Sequence, residues 1–435
     1  MFVSGFDHHP KGNSRKSFLH YLGPGLITGA ADDDPSGIAT YSQVGAQLGF
    51  GMLWTMLFSL PLMVAMQEIC ARLGRITGVG IAEILRRHYP RSLLYGVVSL
   101  LCIANIFNLG ADVTAMGAAA QLIVGGRAGV YAAIFGVVSV LLQVYVPYRT
   151  YVGYLKWLTI VLFAYVGTVL VVHVPWLTVL KATVLPSFQW HVEYWMALVG
   201  VLGTTISPYL FFWQTSQEAE DVRLHRGESA LTRKPWQAFA QFKRIAIDTR
   251  VGMGFSNLVA YFIILATAVT LHGSHDIARG IQTSADAAAA LKPIAGESAF
   301  LLFALGIIGT GMLAIPVLAG SAAYAVSETF RWRASLESKA KDAPKFYLVI
   351  ALATLIGVSM NFLGIDPIHA LFWSAVLNGL VAVPLMIVMM LVADNPKIVG
   401  EFRLPGYLRV LGWAATAVMF VAAAAFLGSA LFLGK

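Results

Sequence analysis

Charge is what this sequence has least of. Charged residues fill 12% of its 435 positions while 58% are hydrophobic, and the mean hydropathy is +0.72. A soluble globular chain carries about a quarter of its residues charged, so a domain folded in water is excluded. Cysteine occurs only at Cys70 and Cys102, inside apolar runs and without metal-ligand or disulfide spacing; both read as small core residues. The sequence has no HExxH motif and no activated nucleophile beside a histidine or lysine in the middle of an apolar run, which argues against a membrane-embedded enzyme. Its ten histidines fall at termini, loops or the ends of apolar runs, so none is placed to shuttle protons at the centre of a bilayer. The net charge of +8 points to no nucleic-acid partner, because its distribution follows membrane topology.

Apolar length is what the chain has in abundance. A membrane-spanning helix needs about twenty largely apolar residues, and about 11 such runs are present. They occupy roughly 18–49, 50–71, 92–124, 129–147, 152–174, 192–216, 250–271, 295–327, 346–363, 367–393 and 407–433. The first is too long and too acidic for a cleaved signal peptide and is read as a retained span. With the N-terminus placed in the cytoplasm, the lysines and arginines gather in the inner connections. Only Arg127, Lys181, Arg279, Lys292 and Lys435 remain outside. The positive-inside rule therefore predicts a multi-pass protein of the cell (cytoplasmic) membrane, N-terminus cytoplasmic and C-terminus outside, with the lipid bilayer as its surroundings. The polar connection from about Gln217 to Ile247 opens on Glu218, Glu220 and Asp221, read as a solvated helix end.

One stretch breaks the apolar pattern. Gly29-Ala30-Ala31-Asp32-Asp33-Asp34-Pro35-Ser36-Gly37 sets three carboxylates inside the first span. An ionised Asp costs several kcal/mol in hydrocarbon, and an intramembrane acid reads as functional by default. Pro35 has no amide hydrogen and clashes with the carbonyl of Ala31, so the helix should break there and leave that carbonyl free. Span six repeats the device: Gly203-Thr204-Thr205-Ile206-Ser207-Pro208-Tyr209 should free the Thr204 carbonyl. Two breaks five spans apart are the mark of an inverted-repeat carrier, whose discontinuous helices meet at the membrane midplane. The expected architecture is all-α: residues 1–17 as a cytoplasmic N-terminal segment, 18–174 as a five-helix repeat, 192–393 as its inverted copy, and 407–433 as an accessory helix.

The residues then resemble a known family. Gly23-Pro24-Gly25-Leu26 through Asp34-Pro35-Ser36-Gly37, Gln43-Val44-Gly45-Ala46-Gln47-Leu48-Gly49-Phe50-Gly51 and Gln67-Glu68-Ile69-Cys70-Ala71-Arg72-Leu73-Gly74-Arg75-Ile76-Thr77-Gly78 are similar to the Nramp divalent-metal transporters. The likeness continues through Leu302–Gly306 and Leu318–Gly320. It implies a LeuT-type fold of two inverted five-helix repeats and alternating-access transport of divalent cations. The chain also departs from the family. Where members read Asp-Pro-Gly-Asn, Gly37 replaces the asparagine. Where they read Met-Pro-His, Ser207 and Tyr209 replace the thioether and the imidazole. Asp112 matches a family aspartate, whereas Ala115 stands in place of a glutamate linked to proton movement. These changes resemble the Nramp-related magnesium transporter branch, with altered metal selectivity and proton coupling.

Asp34 is the principal candidate ligand, with the Ala31 and Thr204 carbonyls and the Ser36 and Ser207 hydroxyls around it, and Gly37 in the same motif. Such an oxygen shell suits Mg2+, which keeps several waters, better than a softer ion. Asp32 and Asp33 point away from Asp34 on a helix, so at most one shares the site while another lines a vestibule or bonds backbone. Asp112 reads either as a hydrogen-bonded packing residue or as a cation or proton relay. Glu68 either pairs with Arg72 or lies on the permeation path, and Tyr209 belongs to the same relay or vestibule group. Asn105, Asn108 and Asn378 read as interhelical hydrogen bonders. The expectation is a secondary transporter of divalent cations, Mg2+ or also Mn2+, with weak or no proton coupling, the cation being substrate and no resident cofactor being needed. A proton-coupled Mn2+/Fe2+ symporter and a cation channel are the competing readings.

Overall fold

The computed structural model describes residues 24–433 except 156, 226 and 274–280; the segment 1–17 lies outside the described residues. All regular structure among the described residues is helical. The first span is broken as the proline requires, into α1 (Pro24–Asp32) and α2 (Pro35–Leu48), and a 3-10 turn leads to α3 (Leu53–Thr77). A short α4 (Ile81–His88) precedes the long α5 (Arg91–Val124), followed by α6 (Ala128–Tyr145). Span five, expected as one helix, is α7 (Tyr148–Leu155) and α8 (Phe163–Val171) with a 3-10 stretch at Leu158–Leu162 between them; α9 (Trp176–Val184) then lies in the connection to the second half.

The second half opens with the other break, α10 (Val192–Thr205) and α11 (Pro208–Leu224), and continues into α12 (Ala238–Thr270). The short α13 (Ser284–Ala289) and α14 (Lys292–Ala295) lead to α15 (Ala299–Thr329), α16 (Pro344–Met360), α17 (Pro367–Ala393), α18 (Pro396–Val399) and α19 (Gly406–Leu433). The apolar helical runs fall on every span expected from the sequence. Their ends differ at the sixth and seventh. α11 runs on to Leu224 and α12 begins at Ala238, so the long polar connection shrinks to the residues between them.

Burial sorts the helices. α10, α11 and α15 are sunk in the bundle, and α5 packs along α15, α16 and α17. α6 and α19 instead turn large apolar side chains outward, among them Ile134, Val137, Phe420 and Leu427. Water would not tolerate so much exposed apolar surface, and a lipid bilayer requires it. Close crossings depend on glycine: a Cβ on Gly29 of α1 would strike the backbone of Gly252 on α12, so only small residues let these two helices touch.

Candidate metal centre

The two breaks meet. Asp34 is the N-cap of α2, with extended backbone at φ −73° and ψ 170°, and Pro35 takes the first helical position, where its missing N–H costs nothing. Its Oδ1 accepts from the Gly37 N–H at 2.7 Å and from the Ser36 hydroxyl at 2.7 Å. Capping uses one oxygen only. The other, Oδ2, faces the opposite elements, receiving Asn108 Nδ2 of α5 at 2.9 Å and the Tyr209 hydroxyl of α11 at 3.5 Å. The same hydroxyl, with its single proton, lies closer to the Ala31 carbonyl that Pro35 freed, at 3.2 Å, so that proton is shared between the two acceptors. Tyr209 thereby stitches the second break to the first.

The other predicted residues divide. The Thr204 carbonyl, freed by Pro208, is taken by the Ser207 hydroxyl at 2.8 Å, which also reaches the Gly203 carbonyl at 2.9 Å. Ser207 thus turns back on its own helix rather than toward Asp34. Ser36 and Gly37 act on the carboxylate as donors, and an N–H cannot ligate a cation, so in this arrangement both hold Asp34 in place. Asp32 Oδ2 and Asp33 Oδ1 share the Ser256 hydroxyl of α12, at 2.7 and 3.0 Å. That places the two acids on the α12 side, away from Asn108. Asp112 is fully buried, its carboxylate close to Asp34 and facing the backbone N–H of Ser36, and neither oxygen has a hydrogen bond of ordinary geometry. Glu68 is occupied by Arg72, at 2.7 Å to the terminal nitrogen, with the Tyr407 hydroxyl at 3.4 Å.

Two features escape a reading along the chain. Asn108, taken as an interhelical hydrogen bonder, touches Asp34 itself. The available signal was its spacing of one helical turn before Asp112, which puts both on one face of α5. The other is Asp248 of α12, which is buried and accepts from the Gly25 N–H at 2.7 Å, anchoring the start of α1. Asn105 does bond across helices, to the Leu318 carbonyl at 3.0 Å and Ser321 Oγ at 2.7 Å.

At the end of the bundle rich in basic residues, two of the acids expected in solvent, Glu218 and Glu220, are buried, and Asp221 is half-buried. Arg75, with no exposed side-chain surface, stands 3.3 Å from Asp221 and 4.0 Å from Glu218 and also pairs with Glu228. Arg244 closes on Glu218, and Tyr324 and Ser335 close on Glu220. Helix α11 carries its acids into this network because it extends a further two turns before it ends.

Two discontinuous helices joined through one carboxylate and one phenol, inside a bundle of apolar helices, define the class: a multi-pass helical membrane protein built around paired helix breaks. Solved structures share the fold. A manganese transporter of Eremococcus coleocola superposes with a TM-score of 0.74 at 17% identity, over 95% of this chain and 87% of that one. Mhp1, a nucleobase-cation-symport-1 family transporter, gives 0.55 at 12% identity, over 94% and 93%. The fold is the LeuT type. A family model described as natural resistance-associated macrophage protein-like (Nramp) matches residues 25–429, and the chain belongs to that family. Relatives named divalent metal cation transporter MntH are 25% identical, from Acidiphilium cryptum over 89% of this chain and 85% of the relative, and from Klebsiella pneumoniae over 93% of each.

Proposed function

We propose that this protein is a secondary transporter that moves divalent metal cations across the cytoplasmic membrane by alternating access, with Mg2+ as its substrate and Mn2+ as a second one. It is a carrier rather than an enzyme, and the cation is cargo rather than cofactor. The observation that carries the reading is the Asp34 Oδ2 atom. It is a buried carboxylate oxygen where two helix breaks meet, beside an asparagine amide and a phenol whose hydroxyl reaches the Ala31 carbonyl. All of these are hard groups, and hard oxygen donors are the chemistry of Mg2+ and, less exclusively, Mn2+. The relatives are named for divalent metal cations and the Eremococcus coleocola neighbour for manganese, so the test sets the two ions against each other. The repeats, 18–174 and 192–393, would rock about this point, with the N-terminus cytoplasmic and the C-terminus outside.

The experiment is uptake into liposomes holding the purified full chain, with Mg2+ and Mn2+ in competition. Asp34→Asn keeps the shape and removes the charge, and it is expected to abolish uptake of both ions while the protein stays folded. Near-normal uptake by a folded Asp34→Asn protein would overturn the site. Uptake of Mn2+ that Mg2+ in excess fails to inhibit would overturn the substrate.

A further inference from the structure

We propose that Asn108 is a switching ligand of the transported cation: its amide gives NH2 to Asp34 in the arrangement seen here and turns Oδ1 to the cation once Asp34 is loaded. The proposal rests on Asp34 as the cation's carboxylate. Asn108 is fully buried, with Nδ2 on Asp34 Oδ2 at 2.9 Å and Oδ1 receiving the Ser374 hydroxyl of α17 at 2.8 Å. Ser374 Oγ also lies 2.7 Å from the Leu371 carbonyl. A hydroxyl has one proton and two lone pairs. When Ser374 gives its proton to Asn108, the amide is fixed as seen. When it gives it to Leu371, it can accept from Asn108 NH2 instead, and the amide turns over with both ends still satisfied.

Asn105, one turn earlier on the same helix, lacks this freedom. Its NH2 faces the Leu318 carbonyl, which only accepts, so the reversed amide would set oxygen against oxygen. At Asp34 the charges favour reversal on loading. A bare carboxylate attracts the NH2 hydrogens, whereas a cation resting on Oδ2 repels them and attracts the amide oxygen. Asp112 stands one turn beyond on the same face, fully buried, its carboxylate close to Asp34 and facing the Ser36 N–H. A cation between Asp34 and this face of α5 therefore meets a carboxylate, an amide oxygen and a second carboxylate, an all-oxygen set for a hard divalent ion.

The test is the concentration dependence of Mg2+ uptake in liposomes, with thermal unfolding in detergent, with and without Mg2+, as the check on folding and binding. Asn108→Ala is expected to raise the half-saturating Mg2+ concentration by about tenfold or more and to shrink the thermal shift given by Mg2+. Asn108→Asp keeps an oxygen and loses the NH2, and is expected to stay much closer to wild type. Were Asn108 only a donor that positions Asp34, Asn108→Asp would set two carboxylates together and do worse than Asn108→Ala; that order overturns the proposal. Asn105→Ala should lower stability without moving half-saturation. An unchanged Asn108→Ala beside an inactive Asp34→Asn overturns the switching ligand alone, while an active Asp34→Asn overturns the site beneath it. If Asn108→Ala does not fold, Ser374→Ala leaves the amide in place and removes its turning partner. It should then raise half-saturation, and no change there overturns the switch.

Discussion

At the scale of single residues, hydroxyl groups close the carbonyls that the prolines free. Prolines 35 and 208 each release one carbonyl, of Ala31 and Thr204. The second is closed by Ser207 of its own helix, the first by Tyr209 of the opposite break. Ser207 therefore finishes α10, and Ser207→Ala is expected to cost about 1 kcal/mol of stability while leaving the Mg2+ to Mn2+ uptake ratio unchanged. A shifted ratio in the competition assay would return Ser207 to the ligand shell. Tyr209→Phe should act in the opposite way. It strands the Ala31 carbonyl and takes a donor from Asp34, so uptake should fall along with a stability loss of about 1–3 kcal/mol, read from the melting temperature. Asp34 was legible in the chain because an acid and a proline inside an apolar run violate two local rules at once. Asn108 was not, because its contact with Asp34 spans 74 positions and depends on how α5 is rotated in the bundle.

At the scale of helices, the breaks were legible and the helix ends were not. A missing amide hydrogen acts on the four residues before it, so sequence alone locates the gap between α1 and α2 and that between α10 and α11. Helix α11 has no such marker at its far end, and its acids looked like the start of a solvated connection. Tertiary pairing overrode that pattern: Arg75, delivered by α3, neutralises α11's acids inside the protein, and the loop that follows returns Leu231 N–H to the Arg75 carbonyl at 3.1 Å. Removing one partner of a buried ion network leaves an uncompensated charge and costs about 3–5 kcal/mol. Arg75→Gln should destabilise the protein by that order, and adding Asp221→Asn should recover part of the loss, because Asp221 loses its arginine whereas Glu218 keeps Arg244. Additive losses in thermal unfolding would mean that the two side chains do not act as one unit. The network ties the ends of α3, α11 and α12 together.

For the whole molecule the open quantity is what drives the cation, and the layout favours voltage over protons. A proton symporter needs titratable groups set in a chain from the site to the cytoplasm. On α5, the stretch from Asp112 back to Arg91 offers the amides of Asn108 and Asn105 and no acid or histidine. Glu68 is held by Arg72, and Tyr209 is a phenol, ordinarily protonated at neutral pH. Asp32 and Asp33 look across to Ser256 on α12, the helix that also bears Asp248, so among the described residues the α1–α12 seam carries a line of acids leading away from Asp34. One hydroxyl, that of Ser256, serves both acids. The inside-negative potential by itself favours entry of a divalent ion by about 4.6 kcal/mol per 100 mV, twice the value for one charge, so uptake does not need a proton gradient. Mg2+ influx into liposomes at a clamped voltage is therefore expected to leave an internal pH dye unchanged and to rise steeply as the interior is made more negative. Metal-dependent acidification would overturn this, and two variants would then locate the path. Loss of the acidification in Asp112→Asn would assign the proton to α5, and loss in Ser256→Ala to the seam between α1 and α12.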